Sequence, residues 1–308
     1  MRPIELILCT LTILTAIFYL LPRVSDRLKY RWIPALMVGA AALQIGLEGF
    51  RWQLWPVMVA VAILWLAMAV RRDKVDPARR PLFSAILGII LALLSLALGW
   101  VLPVPQPFPS TGAYQVGTTV FPLVDETREE LYGTDPDAKR EIMVQVWYPA
   151  SPTGDEQHAY FMPDIRYAGP ALAEWIEIPS FALNHLKYAK ANAYLDAPLL
   201  EGGGAFPVLI FSHGWSGFRE QNIYQVEELA SHGYVVVGIS HTYGAVITVF
   251  PDGRQMARDD RALPEGVGDE EYDLASNRLV RQWTADIGFV LDELSRRDQE
   301  GEWFLSGR

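Results

Sequence analysis

The sequence predicts four transmembrane helices over residues 1–102, followed by an incomplete doubly wound α/β domain over residues 113–308. Three observations lead there. The chain has 308 residues, 51% of them hydrophobic, with a mean hydropathy of +0.13, and its charge is divided unevenly. Residues 1–102 carry 11 Lys/Arg against 5 Asp/Glu, whereas residues 103–308 carry 15 against 31. Such asymmetry between halves indicates two environments. Four long apolar runs fill the first half. A strand–helix–strand–helix pattern fills the end of the second.

The apolar runs are 4–21, 32–50, 54–70 and 82–102, each close to the roughly 20 residues that cross a hydrocarbon core as a helix. The first lacks a small-x-small cleavage site, so it reads as retained rather than as a signal peptide. Arg23, Arg27, Lys29 and Arg31 lie between the first two runs, and Arg71, Arg72, Lys74, Arg79 and Arg80 between the last two. The opposite side has only Arg2 and Arg51. The positive-inside rule then makes both basic loops cytoplasmic. The amino terminus and everything after the fourth run fall on the non-cytoplasmic side of an integral membrane protein. Trp32, Trp52, Trp55 and Trp100 stand at the ends of runs, where amphipathic rings prefer the interface. Gln44 and Glu48 are one helical turn apart. Glu48 lies at the outer end of its run, within reach of the interface, which fits an anchor better than a polar pathway. The single cysteine, Cys9, provides neither a disulfide framework nor a thiolate metal site.

Residues 103–112, "PVPQPFPSTG", form a stiff proline-rich linker. The stretch 113–125 alternates and is rich in Val and Thr, and 141–150 follows as a second strand. In the latter, Ile142, Val144 and Val146 share one face and Met143, Gln145 and Trp147 the other. Helices are expected near 168–175 and 180–193, with a flexible "EGGG" loop at 201–204. "FPVLIF" then reads as a strand buried on both faces. A helix with Ile223, Val226, Leu229 and Ala230 in register follows and stops at Gly233. "YVVVGIS" is the next buried strand. Residues 274–297 form a long helix with Leu279, Trp283, Ile287, Val290, Leu291 and Leu294 on one stripe. The acidic "PEGVGDEEYD" (264–273) before it reads as a solvated loop.

The chemistry concentrates in "SHGWSG", at the carboxyl end of the first buried strand, where open α/β sheets bind ligands. Small residues there let backbone N–H groups approach a substrate. Phosphate binding and acyl transfer both need that. Neither G-x-G-x-x-G nor G-x-x-x-x-G-K-[ST] is present, and Arg219 is the one nearby basic residue. The acyl-transfer reading makes the Trp215 N–H an oxyanion donor, with His213 and Gly214 as the other loop residues. The acidic second half disfavours nucleic acid as a partner.

"REIMVQVWYPA" and "FPVLIFSHGWSGFREQNIYQVEELASHGYVVVGISHTYGA" resemble the platelet-activating factor acetylhydrolase-like branch of the α/β-hydrolases, close to the dienelactone hydrolases. The resemblance spans roughly 113–308 and is strongest over 206–245. It implies a cofactor-free serine esterase or lipase acting on small or lipid-like acyl esters, with Trp215 in the family's oxyanion position. Where the family has an acid before histidine, this chain has Ser240 and His241.

The nucleophile elbow G-x-S-x-G is absent from these residues. Ser216 sits in the oxyanion loop, "LASHG" lacks the first glycine, and Ser306 lacks the glycine after it. Among the histidines, His158 and His185 precede the sheet core, and His213 and His232 lie in the loop and at a helix end. His241 is the best placed, but no elbow serine is available to pair with it. No His/Asp/Glu spacing suggests a metal site. The expectation is therefore the amino-terminal part of a membrane-anchored serine hydrolase, inactive as these 308 residues alone. The nucleophile, acid and base would follow later in the chain. The alternatives are a degenerate, non-catalytic hydrolase-like binding domain on a membrane anchor, and an anchored phosphate- or nucleotide-binding domain.

Overall fold

The computed structural model describes residues 1–20, 32–70, 82–200, 202 and 204–301. Both basic loops, Ser306 and part of the 201–204 loop lie outside the described residues. The chain divides into two compact units, Met1–Val104 and Pro105–Arg308.

The first unit contains α1 (Pro3–Leu20), α2 (Trp32–Glu48), α3 (Trp55–Val70, entered through a 3-10 turn at Trp52–Leu54) and α4 (Leu82–Val101). Among them α1 and α4 are long and apolar enough to cross a membrane, while α2 and α3 are apolar but shorter. On α4 the buried residues are the small ones: Ala85, Gly88, Ala92, Ser95 and Gly99. Their alternating three- and four-residue spacing forms one face that lets neighbouring helices approach closely. Ser95 Oγ accepts the Val57 N–H at 2.9 Å, satisfying one of the amides a helix start leaves free. Many large apolar side chains of the unit face outward, among them Leu36, Leu47, Trp65, Leu66, Phe83 and Ile90, while Leu8, Met37, Leu54 and Leu64 are buried in its core. Glu48 accepts the N–H groups of Ile4 (2.8 Å) and Glu5 (3.2 Å), capping α1. Gln44 is buried and donates to Gly49 O at 3.0 Å.

The second unit is a six-stranded sheet of order β3-β4-β1-β2-β6-β5. Its strands are β1 (Gln115–Glu129), β2 (Lys139–Ala150), β3 (His158–Tyr160), β4 (Lys190–Leu195), β5 (Val208–Ser212) and β6 (Val235–Ser240). The long β1–β2 hairpin is antiparallel, β2 joins β6 antiparallel, and β5 pairs β6 in parallel. Helix α6 (Ile223–Ser231) connects β5 to β6 and packs Ile223, Val226 and Ala230 against Trp147 and Val236. Helix α7 (Asp269–Gln299) covers the other face, packing Val290, Ile287 and Leu294 near Ile142, Val144, Val146, Val237 and Ile239. The period-two pattern of β2 thus feeds two cores, one per face. Each Ile or Val buried there contributes about 1.5–3 kcal/mol.

The structure corrects four details. Residues 180–193 do not form a helix; they give a 3-10 turn at Asn184–Tyr188 and then β4. Helical propensity yields to pairing here, because β1 offers an edge that takes Tyr194 and Leu195 opposite Gly117 and Thr118. The short helix α5 (Ile165–Trp175) begins earlier than expected. The acidic run 269–273 forms the first turns of α7, where Asp269, Glu270 and Glu271 complement the helix dipole. Finally, β5 is an edge strand rather than a doubly buried one. Val208 is 47% exposed and Leu209, Ile210 and Phe211 are half-buried, whereas β6 is buried throughout. Leu291 faces a groove beside that edge with Leu199, Leu200, Phe206, Val208 and Leu294. A hairpin of β7 (Ile247–Val249) and β8 (Gln255–Ala257) completes the unit around the "PDG" turn.

Candidate active site

Strand β5 delivers Ser212 to the carboxyl end of the sheet, and the next five residues make the loop. Residues 214–217 close as a turn through Gly217 N–H to Gly214 O at 2.8 Å. Ser216, third in the turn, has φ +59°, the sign a type II turn requires there. Its left-handed backbone is held by its N–H to Gly244 O (3.0 Å) and by Arg258, which donates to its Oγ at 2.8 Å. Ser216 is buried and so held; it is not an exposed nucleophile.

The two glycines serve different ends. A Cβ on Gly217 would come within 2.5 Å of Gln221 Oε1 and 2.9 Å of both Gly214 O and His213 Cβ. A Cβ on Gly214 would meet nothing within 4 Å. Gly217 is required for packing, while Gly214 keeps space open at the strand end. The Trp215 ring packs with Tyr132, Tyr243, Ala262, Leu263, Leu279 and Trp283, and the Arg258 guanidinium lies 5.7 Å from its centre. Among the described residues the Trp215 N–H has no acceptor. A backbone donor left open at the end of a sheet, beside unfilled space, is suited to a developing oxyanion.

Behind the loop lie two buried imidazoles. His213 Nδ1–H donates to Gly214 O at 2.7 Å, and its Nε2 accepts the His241 backbone N–H at 3.2 Å. Burial first, then the neighbouring His241, pushes the His213 imidazolium down to about 4. His241 is fully buried; its Nδ1 lies 2.8 Å from Asp286 Oδ2 and its Nε2 lies 2.9 Å from Ser212 Oγ. Burial also lowers the His241 pKa, and the bond to Asp286 only partly offsets this. For Asp286 burial works to raise the carboxyl, but hydrogen bonds from His241 and Arg140 outweigh it and hold the group ionised. An ionised Asp286 accepts only, so Nδ1 carries the proton, Nε2 is an acceptor, and the Ser212 hydroxyl donates to it.

Of the predicted residues, His213, Gly214 and Trp215 share this one loop, with His241 directly beneath it. Ser212 and Asp286 join them without having been singled out in the sequence. A usable signal existed for Asp286: it is an acid on the apolar side of α7, between Trp283 and Val290. The other histidines lie elsewhere. His158 contacts Asn192 O, His185 contacts Ala182 O, and His232 pairs with Glu228. Arg219, the nearby basic residue, is buried against Gln145, Asp164 and Glu220. It is therefore not presented to an anion at the loop.

The chain is similar to known proteins in sequence and in structure. The family described as "Platelet-activating factor acetylhydrolase, isoform II" matches residues 106–295. A guinea pig (Cavia porcellus) platelet-activating factor acetylhydrolase is 35% identical over 104 residues, which are 32% of this chain and 23% of that protein. The chain thus matches about a quarter of the length of this curated relative. A ferulic acid esterase from Streptomyces cinnamoneus is similar in structure over 61% of this chain and 49% of its own, with 25% identity and a TM-score of 0.47. With a family match over more than half its length, and an α/β-hydrolase-like domain under that match, the chain belongs to the platelet-activating factor acetylhydrolase isoform II family.

Proposed function

We propose that this chain is the membrane-anchored, oxyanion-binding part of a serine hydrolase of carboxylic or phospholipid-type acyl esters. The open Trp215 N–H at the carboxyl end of β5 carries the reading. In it, a serine from an elbow later in the chain attacks the ester carbonyl. Histidine takes the serine proton and returns it to the leaving alcohol, and water then releases the acyl group. The Trp215 N–H and the N–H following that serine hold the tetrahedral oxyanion. The missing strand would pair with the half-exposed edge of β5, and these 308 residues alone would not turn over. Homology to enzymes named for ester hydrolysis supports the reaction class.

The first unit is proposed to be a four-span anchor. Its outward Leu, Ile and Trp side chains, together with the small residues that α4 buries, suit a lipid surround. The distribution of basic residues in the sequence supports putting the amino terminus and the hydrolase unit on the non-cytoplasmic side. The substrate then meets the enzyme at the bilayer surface.

Trp215→Pro tests the chemistry, because it deletes the N–H at a turn position that proline tolerates. It should lower kcat of the native protein by roughly 10²–10³-fold, while Trp215→Ala, which keeps the N–H, should do far less. Equal losses in the two variants would remove Trp215 from the oxyanion hole. A native protein with no ester hydrolysis would favour the degenerate binding-domain reading.

A further inference from the structure

Ser212, His241 and Asp286 are joined by hydrogen bonds in the order of a catalytic triad, yet their surroundings differ from one. Arg140 donates to both Asp286 oxygens, Nε to Oδ1 at 3.0 Å and Nη2 to Oδ2 at 2.6 Å. Arg128 Nη2 stands at ion-pair distance, 3.0 Å, from Oδ1. The carboxylate that would have to stabilise an imidazolium is already matched by two guanidinium groups. Arg140 is itself shared with Glu130 (2.8 Å) and with Thr242 O (2.9 Å), just beyond β6.

His241 is also sealed. It is 0% exposed, it stacks on Trp283 with centroids 4.5 Å apart and planes 9° apart, and it meets His213 edge-on at 5.2 Å. A general base must pass its proton to a leaving group, which requires access from the crevice. Among the described residues Ser212 is the one group at His241 Nε2; its hydroxyl, exposed at the end of β5, stands between the imidazole and solvent. The other connection from His241 runs to the loop: its backbone N–H binds His213 Nε2, and His213 Nδ1–H binds Gly214 O. This is the residue immediately before the Trp215 donor.

We propose that Asp286, His241, His213 and Ser212 are positioning residues: a hydrogen-bond strut of two buried, neutral imidazoles on an ionised Asp286, ending at the exposed Ser212 hydroxyl, that fixes the loop carrying the Trp215 N–H and transfers no proton. The strut spans α7, the end of β6 and the end of β5. It sets the imidazole tautomers that a loop donor needs held still, since about 1 Å of misplacement can cost 10²-fold in rate. The kinetic consequence rests on the ester-hydrolase reading; the state of the strut does not.

Two experiments on the full native protein test it. Imidazole ¹⁵N shifts in histidine-labelled protein should report His241 as the neutral Nδ1–H tautomer throughout pH 5–8. Titration of His241 within that window would overturn the proposal whether or not any ester is hydrolysed. In kinetics, His241→Gln supplies an amide N–H toward Asp286 and an amide oxygen toward Ser212. It should keep kcat within a few-fold of the unsubstituted protein, whereas His241→Leu should lower kcat by roughly 10–100-fold with KM nearly unchanged. Equal, severe losses for Gln and Leu would make His241 a proton carrier and sink the strut. An absence of activity in the unsubstituted protein would count against the ester-hydrolase reading, leaving the shift measurement to decide the strut.

Discussion

Each unit of the molecule contains a buried, two-pronged arginine–carboxylate pair, and the two pairs lead to different places. In the helical unit Arg51 meets Glu5 through Nε–Oε1 and Nη2–Oε2, both at 2.6 Å. In the outer unit Arg140 meets Asp286 at 3.0 and 2.6 Å. All four side chains are 0–1% exposed. The spare bonds of Arg51–Glu5 close locally: Arg2 binds Glu5, Glu48 caps α1, and Arg51 Nη1 donates to Leu102 O. The spare bond of Asp286 continues through His241 to Ser212 and the loop. A buried ion pair is weak evidence for either stability or function in itself. What separates these two is the group at the end of the chain of bonds.

Removing one partner gives the largest expected effect in both units. Asp286→Ala leaves Arg140 and Arg128 without their shared acceptor and should cost about 3–5 kcal/mol in denaturant unfolding of the outer unit. Glu5→Ala should destabilise the helical unit by a similar amount. It should leave the imidazole shifts of His213 and His241 unchanged, whereas Asp286→Ala should move both. A shift of the histidine signals in Glu5→Ala would break the comparison.

The pH dependence comes next. The unfolded chain protonates His213 below its ordinary value of 6.5, while the folded chain resists until about 4. Stability is therefore full above pH 6.5 and falls as pH drops toward 4, by roughly 3 kcal/mol for this group. Asp286, also depressed, keeps its contribution above its ordinary value of 3.8 and loses it only at lower pH. Equilibrium unfolding at pH 7 and pH 4.5, compared between the unsubstituted protein and His213→Gln, separates this part from the opposing one of Glu220 and Glu227, whose carboxyl pKa burial raises. The same pH dependence in both proteins would contradict the buried-neutral assignment.

The smallest effects contrast the two loop glycines. Gly217→Ala must displace Gln221 and backbone and should cost about 1–3 kcal/mol. Gly214→Ala, facing open space, should change stability by no more than about 0.5 kcal/mol while lowering ester hydrolysis. Thermal unfolding and activity, measured together on both variants, separate packing from access.

Much of this was legible in the sequence, for physical reasons. The alternation in β2, the apolar run of β6 and the helical stripe of α6 are local patterns set by burial, and the structure reproduces them except at Leu229, which is exposed. So is the small-residue loop, whose position after a strand follows from chain order alone. The misreadings involve distant partners. Strand β4 forms because β1 offers an edge 77 residues earlier in the chain, which no local window of "KANAYL" contains. Residues Ser212, His241 and Asp286 meet only once β5, β6 and α7 have packed. Sequence reasoning looked for a serine at an elbow and did not consider one at the end of β5. The edge position of β5 was likewise invisible, since an apolar run looks the same whether it has one neighbour or two.

The most direct test of the central claim is to label the native protein with a fluorophosphonate and identify the modified serine by peptide mass. The account predicts a single labelled serine, in a G-x-S-x-G sequence beyond residue 308, with labelling slowed by Trp215→Pro. A label on Ser212 would show that the buried histidine does transfer protons and that these residues form an active centre of their own. A native protein with no reactive serine would contradict the hydrolase assignment itself.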